Sequence, residues 1–312
     1  MKPRYVTSFS GIAALLGVGI VLVHPAAAEQ KFSDWSLPVN LGPLVNSAFN
    51  DFAPHISKNG LSLYFASTRP ENAFGGEDIW VSQRPNRHAS WGPPINLGPF
   101  INTPSNERSP ALSRDGHFLF FATDRSGGLG GLDIWVSWRA HTHDDFAWQA
   151  PVNLGDVINT AAADAGPSFF ESDDTGMPQL FMASNRLGGP GLFDIYVSTM
   201  HGAGFGPPML LPELSTPLVD LTPTIRHDGL EIIIASNRPG TLGLFTDLWV
   251  ATRQTVFDSW SEPAHLGPLV NTEFIEFFPS LSSDGRTLFF TSSRTDGFGG
   301  FDLWMSTRVR TP

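Results

Sequence analysis

The chain has 312 residues, a formal net charge of −11 and no cysteine. The lack of thiols excludes disulfides, cysteine nucleophiles and thiolate metal sites, and the acidic balance argues against nucleic acid as a partner. With 31 glycines, 26 prolines and 12% aromatic residues, the composition is typical of many short strands joined by tight turns.

Residues 1–28 have the pattern of a signal peptide. Lys2 and Arg4 give a basic start, residues 10–23 are mostly apolar, and a run of three alanines ends at Ala28. The apolar stretch is too short to span a bilayer comfortably, and no later segment is long and apolar enough. We therefore expect cleavage after Ala28, a single domain over residues 29–312 without a membrane span, and a periplasmic or secreted location.

The first complete unit after this segment reads as four strands. Residues 52–57 form the first, and the Asn59-Gly60 pair after it supplies the positive φ angles of a hairpin turn. Residues 61–67 form a nearly all-apolar second strand, as expected where both faces are covered. A glycine-rich loop then leads into a third strand at 78–83, and residues 91–98 are predicted as the fourth.

The same signals return along the whole chain at a nearly constant interval. An acid stands three residues before a proline in each unit, at Asp51, Glu107, Asp164, Asp220 and Glu276. An aspartate opens each third strand, in Asp-Ile-Trp or a close variant of it, at Asp78, Asp133, Asp194, Asp247 and Asp302. Self-similarity at a period of roughly 56 residues indicates a repeat architecture.

Four antiparallel strands per unit, repeated radially, form the blade of a propeller. The sequence therefore predicts an all-β, five-bladed β-propeller of four-stranded blades. Residues 35–42 resemble a fourth strand, whereas the chain ends on a third strand at 302–307. We expect the N-terminal strand to complete the last blade, which removes the edge that an open array would expose.

Three segments of the last unit, at residues 271–279, 282–290 and 296–304, resemble TolB-type repeats, the WD-like propeller class of bacterial periplasmic proteins. The resemblance covers roughly residues 35–308. It implies the propeller fold, and it implies a function only broadly, because that family includes protein-binding modules, fusions to peptidoglycan-binding domains and a few enzymes. TolB itself carries an extra N-terminal domain that this chain is not expected to have, so a Tol-system role is not implied.

Repeated polar residues should converge on one face of the propeller. The loops from a fourth strand to the next first strand, and from a second to a third strand, open on the same side of the central channel. The five acids lie there, together with an arginine after each second strand: Arg69, Arg125, Arg186, Arg238 and Arg294. An asparagine precedes four of the acids by five residues, at Asn46, Asn102, Asn159 and Asn271, and Ser215 takes this place in the fourth blade. We predict the acids and arginines as ligand-binding residues.

These residues also have a structural interpretation, which fivefold repetition favours because catalysis needs unlike roles. Each arginine would pair with an acid of its own or the neighbouring blade and tie two loops together. Each asparagine would cap a turn, and the aspartate of the third strand would accept hydrogen bonds from the glycine loop.

Two chemical alternatives remain for the acid ring. Five-bladed propellers include glycosidases that act on furanosides, and a subset of the five acids would then supply the acid and the base. A ring of carboxylates also suits Ca²⁺, although the interleaved arginines oppose a cation. We predict no cofactor and no resident metal.

One cluster breaks the repeat, at His141-Thr142-His143-Asp144-Asp145. A His-x-His pair with carboxylates could bind zinc. However, the cluster lies between the third and fourth strands of blade two, on the opposite face and within the longest insertion. The sequence favours an exposed polar loop.

The sequence as a whole predicts an exported, monomeric, non-catalytic binding propeller that presents its channel face to a protein or an envelope glycan. The alternative is a glycoside hydrolase of the five-bladed type. Specific function is expected where the blades differ, at Ser215, at Arg108 and in the insertion of blade two.

Overall fold

The computed structural model describes residues 32–171, 176–202, 204–243 and 245–311. These residues form five antiparallel sheets and contain no helix, which confirms the predicted five-bladed β-propeller. The predicted signal peptide lies outside the described residues. Within these ranges, no helix is long and apolar enough to cross a membrane.

The strands of each blade follow one another from the channel outwards. The first strand of the described residues is β1 (Val39–Asn40), the outer strand of blade 5. Blade 1 comprises β2 (Asp51–Ile56), β3 (Ser62–Ser67), β4 (Asp78–Gln83) and β5 (Ile95–Asn96). Blade 2 comprises β6 (Glu107–Leu112), β7 (Phe118–Thr123), β8 (Asp133–Trp138) and β9 (Val152–Asn153). Blade 3 comprises β10 (Asp164–Glu171), β11 (Pro178–Ser184) and β12 (Asp194–His201), with β13 (Gly204–Phe205) and β14 (Met209–Leu210) both paired to β12. Blade 4 comprises β15 (Asp220–Ile225), β16 (Glu231–Ser236), β17 (Asp247–Thr252) and β18 (Ala264–His265). Blade 5 comprises β19 (Glu276–Leu281), β20 (Thr287–Ser292) and β21 (Asp302–Thr307).

The outer strands are shorter than the sequence suggests. The predicted fourth strand over 91–98 contains only the two strand residues of β5. Pro93 and Pro94 stand just before it and have no N–H to donate to a neighbouring strand, so the ladder begins after them. Pro38 similarly precedes β1.

The ring closes as predicted. Val39 and Asn40 of β1 pair with Met305 and Trp304 of β21, at the far end of the chain. The inner strands contact one another in the order β2, β6, β10, β15, β19 and back to β2. Hydrophobic side chains fill the space between neighbouring blades, as where Tyr64 and Ile79 of blade 1 pack with Phe121 of blade 2.

Every inner strand contains a bulge at the same place. Its register shifts against the second strand two residues after the acid, and the bulged residue has a positive φ: Ala53 (54°), Ser109 (54°), Gly166 (60°), Thr222 (46°) and Phe278 (49°). A left-handed conformation costs a residue other than glycine about 1–2 kcal/mol. A proline follows each bulge, so the bend places a ring of five prolines around the channel.

The glycine loops lie directly on the next blade. A β-carbon on Gly75 would overlap the carbonyl oxygen of Ser105, and one on Gly299 would overlap that of Phe49. Only glycine permits this approach. The loops between second and third strands are therefore packed against the loops that enter the next blade, on the face that we call the upper face; the face formed by the turns between first and second strands is the lower face.

Candidate functional site

The upper face contains the five predicted acids, all of them inside the blades. Each carboxyl side chain has no solvent-exposed surface and forms an ion pair with the arginine of its own blade. The N–O distances are 2.5 Å for Arg69–Asp51, 3.1 Å for Arg125–Glu107, 2.6 Å for Arg186–Asp164, 2.7 Å for Arg238–Asp220 and 3.0 Å for Arg294–Glu276.

Each carboxylate has further partners, as Asp164 illustrates. Its Oδ2 accepts hydrogen bonds from the backbone N–H (2.6 Å) and the hydroxyl (2.9 Å) of Thr160, and its Oδ1 accepts one from Ser184 Oγ (2.5 Å). Nη2 of Arg186 also donates to the carbonyl of Ile158 at 2.6 Å. The four other acids repeat this pattern. The carboxylates are thus fully hydrogen-bonded in the structure and hold each entering loop against its own second strand.

In the pair of blade 2, Glu107 and Arg125, the cost of burying the two charges is the least well compensated. Burial raises the pKa of Glu107 against the hydrogen bonds from Thr103 and the charge of Arg125. Burial likewise lowers the pKa of Arg125, despite the charge of Glu107. The longer 3.1 Å separation of the two charges is consistent with both shifts.

The side-chain amides of the four asparagines bind the third strand of the preceding blade, instead of capping a turn as predicted. Asn102 accepts a hydrogen bond from the N–H of Ile79 (2.8 Å) and donates one to its carbonyl (2.9 Å), so it clamps the third strand of the preceding blade. Asn46, Asn159 and Asn271 do the same in their blades. Ser215 offers only its hydroxyl, which accepts from the N–H of Ile195 at 3.1 Å. The third-strand aspartates accept from the glycine loop, as expected: Asp78 bonds the N–H groups of Phe74 and Gly75.

The middle of the channel contains few side chains that could take part in a reaction. It is lined by the bulge residues and the five prolines, together with His55 and hydroxyl side chains such as Ser109. Nε2 of His55 accepts a hydrogen bond from the N–H of Leu112 at 3.0 Å. Burial lowers the pKa of His55 to about 4, so the ring is a neutral acceptor that links blade 1 to blade 2.

One blade junction on the upper face is charged where the others are not. The residue before each third strand is Glu77, Leu132, Phe193, Thr246 or Phe301. The second residue of each inner strand is Phe52, Arg108, Ala165, Leu221 or Phe277. Phe301 packs against the cluster that contains Phe52. At the junction of blades 1 and 2, the corresponding contact is an ion pair: Arg108 Nε lies 2.6 Å from Glu77 Oε2, without an aligned hydrogen bond.

A second carboxylate belongs to this junction. The Oδ1 and Oδ2 atoms of Asp124, which is exposed, accept hydrogen bonds from the backbone N–H (2.8 Å) and the side-chain amide (2.7 Å) of Asn106. These bonds and the charge of Arg108 outweigh burial and lower the pKa of Asp124. Burial raises the pKa of Glu77 against the charge of Arg108, and the charge of Asp124 raises it further. Two neighbouring carboxyl groups therefore differ in acidity in opposite directions.

The side chains of this junction are partly exposed, although the contacting atoms, Glu77 Oε2 and Arg108 Nε, are buried. Glu77 and Arg108 are 18% and 31% exposed, whereas the five ring acids are at 0%. Sequence comparison of the blades identified Arg108 but missed Glu77 and Asp124. The signal was present, because Glu77 is the one charged residue among the five that precede a third strand.

The insertion of blade two links blade 2 to blade 1 through a buried carboxylate. Asp145 is buried and accepts hydrogen bonds from Ser62 (2.5 Å), Tyr64 (2.5 Å) and Gln83 (2.7 Å) of blade 1, and it pairs with Arg139 at 2.7 Å. The predicted exposed loop thus has a buried end. The described ranges contain no group of three or more His, Cys, Asp or Glu side chains placed to bind a metal.

A second arginine set went unnoticed in the sequence. An arginine six residues after the third-strand aspartate lies over a tryptophan in four blades, with the guanidinium carbon 4.2–4.3 Å from the ring centre. The pairs are Arg84–Trp91, Arg139–Trp148, Arg253–Trp260 and Arg308–Trp35. The fixed spacing of six was the available signal. These arginines lie on the lower face, where their Nε atoms bind the glycine carbonyl of the hairpin turn.

Comparison by sequence finds no matching family and no matching curated protein. Comparison by structure finds glycoside hydrolases. The catalytic domain of a family-62 α-L-arabinofuranosidase from Coprinopsis cinerea aligns over 88% of this chain and 97% of its own, with a TM-score of 0.58 and 11% identity. A thermostable family-43 glycoside hydrolase aligns over 87% and 92% (TM-score 0.58, 14% identity). An arabinanase from Bacillus subtilis aligns over 86% and 97% (TM-score 0.55, 13% identity).

These comparisons correct two predictions. The solved structures that share the fold are glycoside hydrolase propellers, so the assignment to TolB-type, WD-like repeats is wrong. The segments that suggested it are those that build any blade here: the acid and its arginine, the hairpin turn and the third-strand aspartate. The same neighbours overturn the prediction of a non-catalytic binding propeller and favour the hydrolase alternative. At this level of identity the likeness itself establishes the fold.

Proposed function

We propose that the protein is a glycoside hydrolase that works at the junction of blades 1 and 2 on the upper face. The observation that carries the proposal is the geometry of this junction: the partly exposed Glu77 lies 2.6 Å from Arg108, and the exposed carboxylate of Asp124 is held by Asn106. The pKa directions agree with it, since that of Glu77 is raised and that of Asp124 is lowered. Glycoside hydrolysis requires such a pair, with one carboxylic acid and one carboxylate. The fold shared with arabinofuranosidases and arabinanases supports the same reaction class.

The two groups take different roles in this proposal. Glu77, whose raised pKa favours the protonated form, donates a proton to the glycosidic oxygen as the bond to the leaving group breaks. Asp124 is ionised, because its pKa is lowered. Its carboxylate either attacks the anomeric carbon itself or takes a proton from the water that attacks this carbon. Arg108 touches Glu77 and keeps its pKa from rising further.

The five ring acids have a scaffold role in this proposal. A carboxylate with no exposed surface and an arginine within 3.1 Å reaches neither a glycosidic oxygen nor a water molecule at an anomeric carbon. The ring instead fixes the loops that carry Asn106, Glu77 and Asp124. Export, as predicted from residues 1–28, would bring the enzyme to glycans outside the cytoplasm.

A panel of aryl glycosides tests the proposal, beginning with α-L-arabinofuranosides because the structural neighbours act on them by name. Replacing Glu77 by Gln removes the proton donor, and kcat/KM should fall about 10²–10⁴-fold. The loss should be much smaller for a dinitrophenyl leaving group, which departs without a proton. Asp124→Asn should reduce turnover of both kinds of substrate.

Glu71→Gln is the matched control, since Glu71 is an exposed acid of the same loop and its replacement should leave turnover unchanged. No turnover of any substrate by the wild type would overturn the proposal. So would a Glu77→Gln enzyme that is as active as the wild type, or one that loses activity equally with good and poor leaving groups.

A further inference from the structure

A cleft of about 220 Å³ on the lower face lies between blades 5 and 1. Three cationic side chains line it, those of Lys58, Arg84 and Arg87. Ser283 and Thr287 of blade 5 contribute hydroxyl groups to the opposite wall. Such a concentration of positive charge is a local exception in a chain of net charge −11, and it is far from the carboxylates of the upper face.

The two guanidinium groups are held in place. Arg84 lies 4.2 Å over the ring of Trp91, and its Nε donates to the carbonyl of Gly60 at 2.8 Å. Nε of Arg87 donates to the carbonyl of Asn59 at 2.8 Å, and its Nη2 donates to the carbonyl of Lys58 at 3.3 Å. These contacts use one edge of each fork and leave N–H groups for a ligand. A fixed donor loses little conformational entropy when it binds.

The cations of the cleft have no ion-pair partner of their own. None of the described residues forms an ion pair within 4.0 Å with Lys58, Arg84 or Arg87. Burial and the charge of Arg87 both lower the pKa of Arg84, as expected for a cation without a partner.

The acid that lines the cleft, Asp284, is engaged elsewhere. It accepts hydrogen bonds from Ser282 Oγ (2.7 Å) and from the N–H of Arg286 (3.1 Å). These bonds, together with the charges of Arg286 and Arg87, lower its pKa against the effect of burial. Asp284 therefore acts on Arg87 only from a distance, and neither guanidinium group has a carboxylate in contact with it.

The equivalent arginines at two other blade junctions each have an ion-pair partner, which Arg84 lacks among the described residues. Arg308 binds both carboxylate oxygens of Glu231, the first residue of β16 in the preceding blade, at 2.6 and 3.1 Å. Arg139 pairs with Asp145 at 2.7 Å. The residue that corresponds to Glu231 in front of Arg84 is Thr287, the first residue of β20.

Arg253, the remaining member of the set, also forms no ion pair among the described residues. Its charge is nevertheless compensated in part by Asp258 and Asp228, which raise its pKa against the effect of burial. The cleft at Arg84 instead contains a second guanidinium group, that of Arg87, and its acid, Asp284, is bound to Ser282 and Arg286.

We propose that this cleft binds a small carboxylate anion, which takes the place at Arg84 that Glu231 occupies at Arg308. A guanidinium fork and a carboxylate match in a bidentate, charge-assisted pair. The volume is below the roughly 300–1,000 Å³ of sites for drug-sized ligands, so the ligand is the size of a sugar acid or a simple organic acid. The site is separate from the proposed hydrolase centre.

Calorimetric titration of the full chain at low ionic strength tests the proposal with three probes: glucuronate, glucose and acetate. Glucuronate should bind and glucose should not, because the two sugars differ in the carboxylate. Acetate distinguishes the source of the carboxylate: equal binding of acetate and glucuronate means that the carboxylate alone is recognised, and tighter glucuronate binding means that the sugar ring contributes. Both results support the proposal, and binding should weaken in 0.5 M salt because screening is stronger there.

Two variants and a control locate the site. Thr287→Glu supplies the missing carboxylate from within; it should abolish glucuronate binding while raising the melting temperature, which shows that the variant is folded. Arg87→Gln should weaken binding at least tenfold. Arg310→Gln removes an exposed arginine outside the cleft and should have no effect.

Three results would overturn the proposal: no glucuronate binding by the wild type, equal affinity for glucose, or unchanged binding in Thr287→Glu. Tighter binding of inorganic phosphate than of any carboxylate would also contradict it. Glu77→Gln should bind glucuronate like the wild type, so failure of this proposal and failure of the proposed hydrolase activity are distinguishable.

Discussion

The two faces of the propeller are held together by ion pairs of different organisation. On the upper face the same pair occurs five times, always between an acid and an arginine of one blade. On the lower face each junction is individual. Arg308 reaches Glu231 of the preceding blade, Arg139 meets Asp145 of its own insertion, and Arg84 has no acid in contact with it among the described residues.

This difference separates scaffold from function. A contact repeated in every blade builds the blade, and a reader of the sequence can find it through the repeat. A contact that occurs once serves the place where it occurs. The hydrolase proposal rests on such a single departure, Glu77 with Arg108 where other junctions are apolar or neutral. The cleft proposal rests on a difference between two junctions, since Thr287 stands in front of Arg84 where Glu231 stands in front of Arg308.

The largest effect is expected from breaking the uniform set of pairs. Asp164→Asn leaves Arg186, whose side chain is 14% exposed, without its counter-ion, and this should lower the free energy of unfolding by about 3 kcal/mol. Asp51→Asn and Asp220→Asn should cost similar amounts. Glu107→Gln should cost least, because burial already raises the pKa of Glu107. Chemical denaturation of the variants measures this order.

The exposed Asp156 of the upper face provides the control, and Asp156→Asn should change stability little. If the ring variants lose less than about 1 kcal/mol, as surface pairs do, the ring is not the scaffold that the distances indicate.

A somewhat smaller loss is expected where the loops of the upper face touch. Gly299→Ala places a β-carbon against the carbonyl oxygen of Phe49, and such overpacking typically costs about 1–3 kcal/mol. Gly204→Ala meets no atom within 4 Å and should be close to neutral. A similar thermal stability of the two variants would contradict the close packing of the loops.

The channel should make stability dependent on pH. The pKa of His55 is lowered to about 4 in the fold, against about 6.5 in an unfolded chain. As pH falls from 6.5 towards 4, the unfolded state gains a proton that the folded state does not bind, so stability is lost over this range. Because the ring is partly exposed, we expect a loss on the order of 1–2 kcal/mol.

Melting temperatures of wild type and His55→Gln, measured between pH 7 and pH 4, check this effect. The variant should be the less stable of the two at pH 7, because the acceptor for Leu112 N–H is altered, and the difference should narrow as pH falls. A constant difference across the range would show that His55 does not titrate as described.

The smallest effect concerns the single charged junction of the upper face. The charge of Arg108 lowers the pKa of both Glu77 and Asp124. Arg108→Gln should therefore move both limbs of the pH profile of kcat/KM to higher pH, by about 1 unit or less because the side chains are partly exposed. A profile that shifts to lower pH, or that shifts equally in Arg310→Gln, would contradict the assigned roles.

Much of the fold could be predicted from the sequence because the signals that define a blade occur in it five times. The Asp-Gly and Asn-Gly turns, the third strands and the closing strand β1 all lie where the repeat predicts them. The outer strands were predicted too long, because the prolines before them limit the ladder to two residues, as in β5.

The candidate sites were harder to predict because each depends on neighbours from different blades. Asp145 looked like part of an exposed loop, yet its carboxylate is buried against Tyr64, which lies far away in the sequence. Arg108 was singled out as a departure from the repeat, but its partner Glu77 belongs to the preceding blade. A repeat shows which residues occupy equivalent positions in the blades. It does not show which residues of different blades contact one another.

The closing strand has a consequence for how the molecule is made. Val39 pairs with Met305, so β1 must wait until all the other described strands have been synthesised before it finds its partner. Blades 1 to 4 consist of consecutive strands and can form as they emerge, whereas blade 5 cannot be completed until β21 has been made. Contacts of such long sequence separation form slowly. During this interval β1 lacks its partner strand, and the nascent propeller is an open arc with an unpaired edge.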